Sequence, residues 1–370
     1  MFMTEFEIPE TGEALFSGRR VSWAFNTRIA IRASVDLLGL SPGDEVLAPA
    51  YHCGSEVDPL LHAGLKVTLF PVAQDFVVRP EDIEARITPA TRAVYVIHYF
   101  GWLQPHMQAL RTLCDARGLR LMEDCALSLL SGDQPAEGHW GDVAFFCAYK
   151  FLPVLGGGAL VVNAPDLPDP PHFSLPVAGG EERRFAVRRL LAATGGLGVL
   201  RGLKRRLRPG QEALRGTEGR ADSTGQDIPA GYYFDERLMG RAISAATARA
   251  VRRSDPGAII AARRANWCLL RDLVSDIPRA GLLFADLPDT VCPLSLPVLI
   301  PDRDRIAGRL QAQGEDVTPW WSGFHRGLDW GDAGDAISLK NGVLALPVAQ
   351  GLQPPALERL AARLSAALSA

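Results

Sequence analysis

Between about Trp23 and Asn163, six short apolar runs alternate with amphipathic stretches. The runs are EVLAPA, LKVTLFPV, AVYVIHYF, LRLMED, DVAFFCAY and GALVVN; between them stand segments such as RIAIRASVDLLGL, EDIEARI and MQALRTLCDARGL. A strand covered on both faces reads as a nearly unbroken apolar run, and parallel neighbours need a crossover, usually a helix, between them. The alternation therefore predicts a doubly wound α/β domain with a largely parallel sheet, whose ligands lie at the carboxyl ends of the strands.

The chain's 370 residues, 47% of them hydrophobic, suffice for one large unit and one smaller one, each with its own core. The large unit is expected over residues 1–250 and a smaller C-terminal α+β unit over 251–370. A basic insertion is expected at about 164–230, opening with the Pro/Gly-rich APDLPDPPHFSLPVAGG. From Arg183 to Arg208 there are nine basic residues and no acidic one, which suits an arginine-rich helical hairpin or oligomer contact, or a surface docking on anionic lipid or a phosphorylated substrate. In the C-terminal part, RLMGRAISAATARAVRR reads as a long helix, Asp255-Pro256-Gly257 as a turn, and AIIAARRANWCLLRDLV as more helix. PLSLPVLI reads as a strand, and DRIAGRLQAQG and LERLAARLSAAL as helices.

A net charge of -3 gives no general pull toward nucleic acid or membrane. The six cysteines are scattered, with no C-x-x-C and no Cys/His spacing suited to a metal, so reduced thiols in a cytoplasm and no metal site are expected. The opening MFMTEFEIPETGEALF has neither the basic start nor the apolar run of a secretory signal, and no stretch has the apolar length of a spanning helix.

Chemistry that needs a primary amine has few candidates: of 39 basic residues only Lys66, Lys150, Lys204 and Lys340 are lysines. Lys150 ends an apolar strand in GDVAFFCAYKFLPVLGGGALVVN and precedes the glycines 156–158. An amine flanked by apolar residues loses solvation of its charged form and becomes usable as a nucleophile toward an aldehyde. Lys66 opens a strand, Lys204 stands among arginines and Lys340 falls in a polar loop. Asp124 closes the strand LRLMED, where parallel sheets keep ligand-binding groups; capping the next helix is the alternative. At Asn26-Thr27-Arg28 a loop runs into an amphipathic helix, whose free N–H groups make a phosphate cup unless the segment only caps itself. His52, in PAYHCGSE, is a candidate for stacking over a flat ligand or for a structural role.

Taken in order, TRIAI, LGLSPGDEVLAPAYHC, HAGLK, ITPATRAVYVIHYFG, LRLMEDCA, WGDVAFFCAYKFL, GGGALV and, more loosely, GVLALPVAQGL resemble the DegT-type aminotransferases. These are enzymes of fold type I that use pyridoxal 5'-phosphate (PLP), including sugar aminotransferases. The resemblance, strongest over about residues 20–163, implies the aspartate-aminotransferase type of PLP-dependent transferase fold, a large mostly parallel-sheet domain plus a small C-terminal α+β domain. It implies Lys150 as the Schiff-base lysine, Asp124 as the partner of the pyridine nitrogen, and Thr27 and Arg28 as the phosphate-binding turn. The PAYHC stretch, with His52, would supply a ring-stacking group, and Cys147 stands where the family commonly has a phosphate-binding serine. It further implies a homodimer that moves an amino group from an amino acid, glutamate by resemblance, to a keto acceptor such as a nucleotide-linked keto sugar.

Two residues depart from the pattern. Leu127 stands where the family usually has Gln or His near the cofactor's phenolic oxygen, and a leucine cannot hydrogen-bond. Cys147 replaces the serine, and a thiol is a poor donor. These keep open a PLP enzyme of another reaction type, such as decarboxylation, elimination or condensation, and a non-catalytic scaffold relative docked through Arg183 to Arg208.

Overall fold

The computed structural model describes residues 13–133, 136–154, 156–176, 228 and 231–369. The basic segment Arg183 to Arg208 lies outside the described residues. All six apolar runs are strands: β2 (Glu45–Pro49), β3 (Lys66–Phe70), β4 (Thr91–Ile97), β5 (Arg120–Asp124), β6 (Val143–Cys147) and β7 (Gly158–Val162). With β1 (Arg20–Ala24) they make a seven-stranded sheet in the order β1-β7-β6-β5-β4-β2-β3. Strands β2 to β6 run parallel, whereas β7 lies antiparallel to both β6 and β1.

The pleat sends alternate residues to opposite faces. On β4, Val94 and Val96 join a core with Leu110 and Leu121 under the Met107–Arg117 helix, while Tyr95 and Ile97 join the other face with Phe145 and Ile29. The Thr27–Leu37 helix supplies Ile29, Ala30 and Ile31 to that second face. Strand β1, which lies outside the six apolar runs, pairs residue for residue with β7 from Arg20↔Val162 to Ala24↔Gly158. Its RVSWA is mixed in polarity because it is an edge strand, half-buried over its first three residues.

The C-terminal part forms a four-stranded antiparallel sheet, β10-β11-β9-β8, from β8 (Gly281–Leu282), β9 (Ser295–Leu299), β10 (Thr318–Pro319) and β11 (Val343–Pro347). The helices Pro256–Ser275, Arg303–Ala312 and Pro354–Ser369 pack on it around Trp267, Leu296, Leu344 and Leu364. Asp255 caps the first of these, its Oδ1 accepting from the Ala258 N–H at 3.0 Å, with Pro256 in the opening turn. The long helix expected from Arg237 onward begins only at Ala245, behind a Ser244 cap. Gly240 interrupts it with φ +74°, a left-handed value, and Ala242 bridges to Ala24 instead. No helix among the described residues is long and apolar enough to cross a membrane.

One buried acid ties the parallel strands together. Glu45, fully buried at the start of β2, accepts hydrogen bonds from Lys66 Nζ (2.9 Å), Thr68 (2.7 Å), Thr88 (2.6 Å) and Thr91 (2.7 Å). Burial alone would raise its carboxyl, but the bonds from Thr88, Thr91, Lys66 and Thr68 outweigh that and bring it to about 2. Because the folded value lies below the ordinary 4.5, this stabilisation is complete above about 4.5 and is lost as pH falls toward about 2. Glu45→Gln should therefore cost on the order of 2–3 kcal/mol at neutral pH. The difference should shrink through the acid range, as read from urea unfolding at a series of pH values.

Candidate active site

The sheet order brings the ends of β6, β5, β4 and β2 side by side, so the segments that follow them share one edge. Cys147 closes β6 and pairs with Gly158 at the start of β7, which in turn pairs with Ala24 at the end of β1. The Thr27–Leu37 helix therefore begins at the same edge. Glycine is required at 158: a Cβ there would lie 2.3 Å from the Thr27 nitrogen, so only a bare backbone lets β7 press against the helix start.

Five of the six residues singled out from sequence, Thr27, Arg28, Asp124, Cys147 and Lys150, line one cleft at this edge, joined by Ser55, Glu56 and Tyr149. Asn26 caps the helix, its Oδ1 accepting from the Ile29 N–H at 3.1 Å. The N–H groups of Thr27 and Arg28, first in the helix, have no partner within it and carry the positive end of its dipole. Cys147 is buried beside Thr27, and burial pushes its thiol above the ordinary value.

Asp124 ends β5 and is held at both oxygens. Oδ2 accepts from Tyr95 Oη at 2.7 Å and Oδ1 from the Ala126 N–H at 2.8 Å. Burial, followed by the charge of Glu56, pushes its carboxyl up to about 6, against the opposing pull of Tyr95, the Ala126 amide and Lys150. Its neighbour Glu123 points to the other face, as strand alternation demands, where it meets His98 at 2.9 Å and accepts the amides of Trp140 and Gly141. His98, Glu123 and Cys125 lie close enough to share an ion, but the His98 ring is already committed, its Nδ1 accepting from the Gln104 N–H.

Lys150 follows β6 on a single 3-10 turn, Ala148–Lys150. Its Nζ lies 5.7 Å from the ring centre of Trp320 and 6.0 Å from that of Trp321. The two indoles stack on each other at 5.5 Å and form the apolar wall of the lysine's surroundings. These tryptophans open the aromatic-rich segment WWSGFHRGLDW, Trp320 to Trp330.

His52 is elsewhere. It is buried, stacked on Trp330 at 5.3 Å, with Nδ1 accepting from the Gly54 N–H at 2.9 Å, and it does not line the cleft. Burial, reinforced by Lys340 and His325, drives it well below the ordinary histidine value. Lys340, expected in a polar loop, is instead 1% exposed in the Ala336–Gly342 helix. Its Nζ donates to the carbonyls of His52 (2.6 Å) and Trp321 (3.1 Å), so one ammonium ties the segment after β2 to the tryptophan segment. Leu127 is buried in the core. A larger cleft lies at the opposite edge, by Arg111, Arg120 and Asp142, where the charges are already paired with one another.

Residues 17–188 match the model of the DegT/DnrJ/EryC1/StrS aminotransferase family. Over that span the chain is similar to the DegT/DnrJ/EryC1/StrS aminotransferases. All five cleft residues named above lie inside the matched span. GDP-perosamine synthase of Vibrio cholerae is 31% identical over 145 residues, covering 38% of this chain and 39% of that protein. The match thus spans well under two thirds of this curated relative. Among solved structures, the aminotransferase TlmJ from Streptoalloteichus hindustanus superposes with a TM-score of 0.65 at 20% identity, over 95% of this chain and 86% of that one. NtdA from Bacillus subtilis, with bound cofactor PMP, superposes with a TM-score of 0.62 at 15% identity, over 95% and 74%. The α/β fold is therefore that of the PLP-dependent aminotransferases, as the sequence led one to expect.

Sequence reasoning missed Glu56, Tyr95 and Tyr149. Glu56 sits in GSEVDP, which has no apolar periodicity to signal burial, yet it is 6% exposed. Tyr95 was legible only as a strand residue; its hydroxyl partner lies one strand away on β5.

Proposed function

We propose that the chain is a PLP-dependent aminotransferase moving an amino group from an amino acid, glutamate first, to a keto acceptor, with a nucleotide-linked keto sugar as the leading class. The observation that carries this is the meeting of the Lys150 amine, the Asp124 carboxylate and the Thr27–Arg28 helix start in one cleft.

The donor set suits the cofactor. The helix start and Arg28 offer amide donors and a cation to a phosphate, and Asp124 offers a buried carboxylate to a protonated ring nitrogen. Lys150 offers a primary amine to an aldehyde. Bound PLP would supply an electron sink for the carbanion formed at the substrate carbon. Lys150 is then the group at hand to move the proton at that carbon, through Nζ. Tyr95 and the Ala126 amide hold Asp124 in one orientation, and a cationic ring nitrogen would draw its carboxyl back down from about 6. Trp320 and Trp321 exclude water from the side of Lys150. In this reading residues 1–250 hold the cofactor and the 251–370 unit contributes the tryptophan wall. A homodimer follows from the same family resemblance.

The test is to incubate the PLP-treated protein with glutamate and follow absorbance and products together. Formation of pyridoxamine phosphate and 2-oxoglutarate supports the proposal. Leu127, a buried leucine without hydrogen-bonding capacity, favours a second reading in which PLP serves another reaction type. A coloured protein that yields no pyridoxamine phosphate with any amino acid would decide for it.

A further inference from the structure

The turn that carries Lys150 is held from outside. Ala148–Lys150 is one 3-10 turn, closed by the amides of Phe151 (3.1 Å) and Leu152 (2.8 Å) on the Ala148 carbonyl. The carbonyls of Lys150 and Phe151 have no backbone donor among the described residues. Side chains of the C-terminal unit take them up instead. Arg263 Nη2 donates to the Lys150 carbonyl at 3.1 Å, and Gln350 Nε2 to the Phe151 carbonyl at 2.8 Å. The two donors are joined to each other, Arg263 Nε donating to Gln350 Oε1 at 2.9 Å. Arg263 Nη1 reaches the carbonyls of Pro293 (3.2 Å) and Leu294 (3.1 Å), and the Leu294 N–H donates in turn to the carbonyl of Phe100, which follows β4, at 2.8 Å.

Arg263 is 3% exposed on the Pro256–Ser275 helix, with its guanidinium 5.0 Å from the ring centre of Phe151. Each acceptor just named is a neutral oxygen. A buried cation whose partners are all neutral is a costly way to join two units that apolar packing could join. What the planar fork adds is direction, because it fixes several acceptors at once. Gln350, which follows β11, is steadied by Asn266 on the same helix, whose Nδ2 donates to the Ala349 carbonyl at 2.9 Å.

We propose that Arg263 and Gln350 are positioning residues for Lys150: by holding two successive peptide units, they fix the direction in which its side chain leaves the turn and so aim the amine into the cleft. Peptide units are planar, so pinning both carbonyls leaves few soft dihedrals at this point. Neither side chain lines the cleft itself. The C-terminal unit then governs the lysine twice, through this clamp on its backbone and through the Trp320–Trp321 wall beside its amine. The inference rests on Lys150 being the amine that condenses with PLP, with loss of water.

The experiment compares the full chain as wild type, Arg263→Met, Gln350→Met, the double variant and Arg264→Met. Arg264 is the control: it is the next residue on the helix and also binds carbonyls, those of Leu287, Pro288 and Val291, but among the described residues none on the Lys150 turn. PLP is added over a range of concentrations, and label on Lys150 is timed by borohydride quenching and peptide mass, with urea unfolding measured alongside. The maximal labelling rate should fall about tenfold or more in Arg263→Met and Gln350→Met, while the PLP concentration giving half of that rate stays near wild type. The double variant should be no slower than the slower single one, because the two side chains act as one clamp. Arg264→Met should lose stability yet label at the wild-type rate. Wild-type maximal rates in both clamp variants overturn the inference, as does an Arg264→Met chain slowed as much as they are, or a change confined to the half-saturating concentration. Should Arg263→Met fail to fold, Gln350→Met carries the test. A wild-type chain that takes no label on Lys150 overturns the cofactor reading itself, and the inference with it.

Discussion

Lys150→Ala should abolish borohydride-trappable PLP at this position and lower transamination by about 10³-fold or more, since both the covalent anchor and the proton-moving amine go at once. Lys150→Arg should do nearly the same. A guanidinium keeps the charge beside Trp320 and Trp321 but cannot condense with an aldehyde at neutral pH. Loss in both variants therefore assigns the effect to the amine rather than to the charge. Among the described residues the other lysines offer poor substitutes: Lys66 is paired with Glu45 at 2.9 Å, and Lys340 is buried and bonded to two carbonyls. Added methylamine should restore part of the activity in the Ala variant, because the cleft then has room for a small free amine. The measurement is turnover of glutamate with peptide mapping of the reduced adduct. Full activity in Lys150→Ala, or a label that stays at the same yield on another lysine, would sink the assignment.

What was legible in the sequence followed from topology. Once six apolar runs are strands of a mainly parallel sheet, residues at their carboxyl ends must gather at one edge, which is how Asp124 and Lys150 come to share a cleft. Thr27 joins them through β1, an antiparallel edge strand whose mixed RVSWA gives no alternating or continuous apolar pattern to read. Side-chain direction within a turn was not legible. His52 stands at the expected strand end, but Gly54, with φ +95°, turns the chain so that the imidazole packs on Trp330. Lys340 illustrates the same limit: DAISLKNG is polar in composition, and its carbonyl partner at His52 is 288 residues away. No local window contains that information. Glu56 was hidden for a related reason, since the cleft it lines with Asp124 and Lys150 is assembled from segments distant in sequence.

Asp58→Ala should be the most damaging change outside the cleft, costing about 3–5 kcal/mol of folding stability. Asp58 is 1% exposed at the start of the Asp58–His62 helix. Its Oδ1 accepts from His325 Nε2 at 2.7 Å and from the Gly231 N–H at 2.9 Å, and its Oδ2 from the Tyr233 N–H at 2.6 Å. His325 Nδ1 accepts from the Gly327 N–H at 3.1 Å, which assigns the ring hydrogen to Nε2. Alanine would leave this ring hydrogen and two amides without an acceptor, and each unmet buried donor costs roughly 1–3 kcal/mol. Burial by itself would raise the Asp58 carboxyl, but the bonds from His325, Tyr233 and Gly231 together hold it below its ordinary 3.8. Its contribution is therefore complete above about 3.8 and disappears as pH falls through the lower folded value. Urea unfolding should show the full penalty at neutral pH and a smaller one in acid. The site should respond as well. His325 lies on the segment that places Trp320 and Trp321 over Lys150, and its carbonyl accepts from Trp330 Nε1 at 3.0 Å. Asp58→Ala should therefore shift tryptophan fluorescence and weaken cofactor retention, whereas Lys150→Ala should leave the unfolding midpoint of the cofactor-free protein almost unmoved. A loss below about 1 kcal/mol in Asp58→Ala, with unchanged fluorescence, would show that the tryptophan wall is held by Lys340 and the surrounding packing rather than by this buried pair.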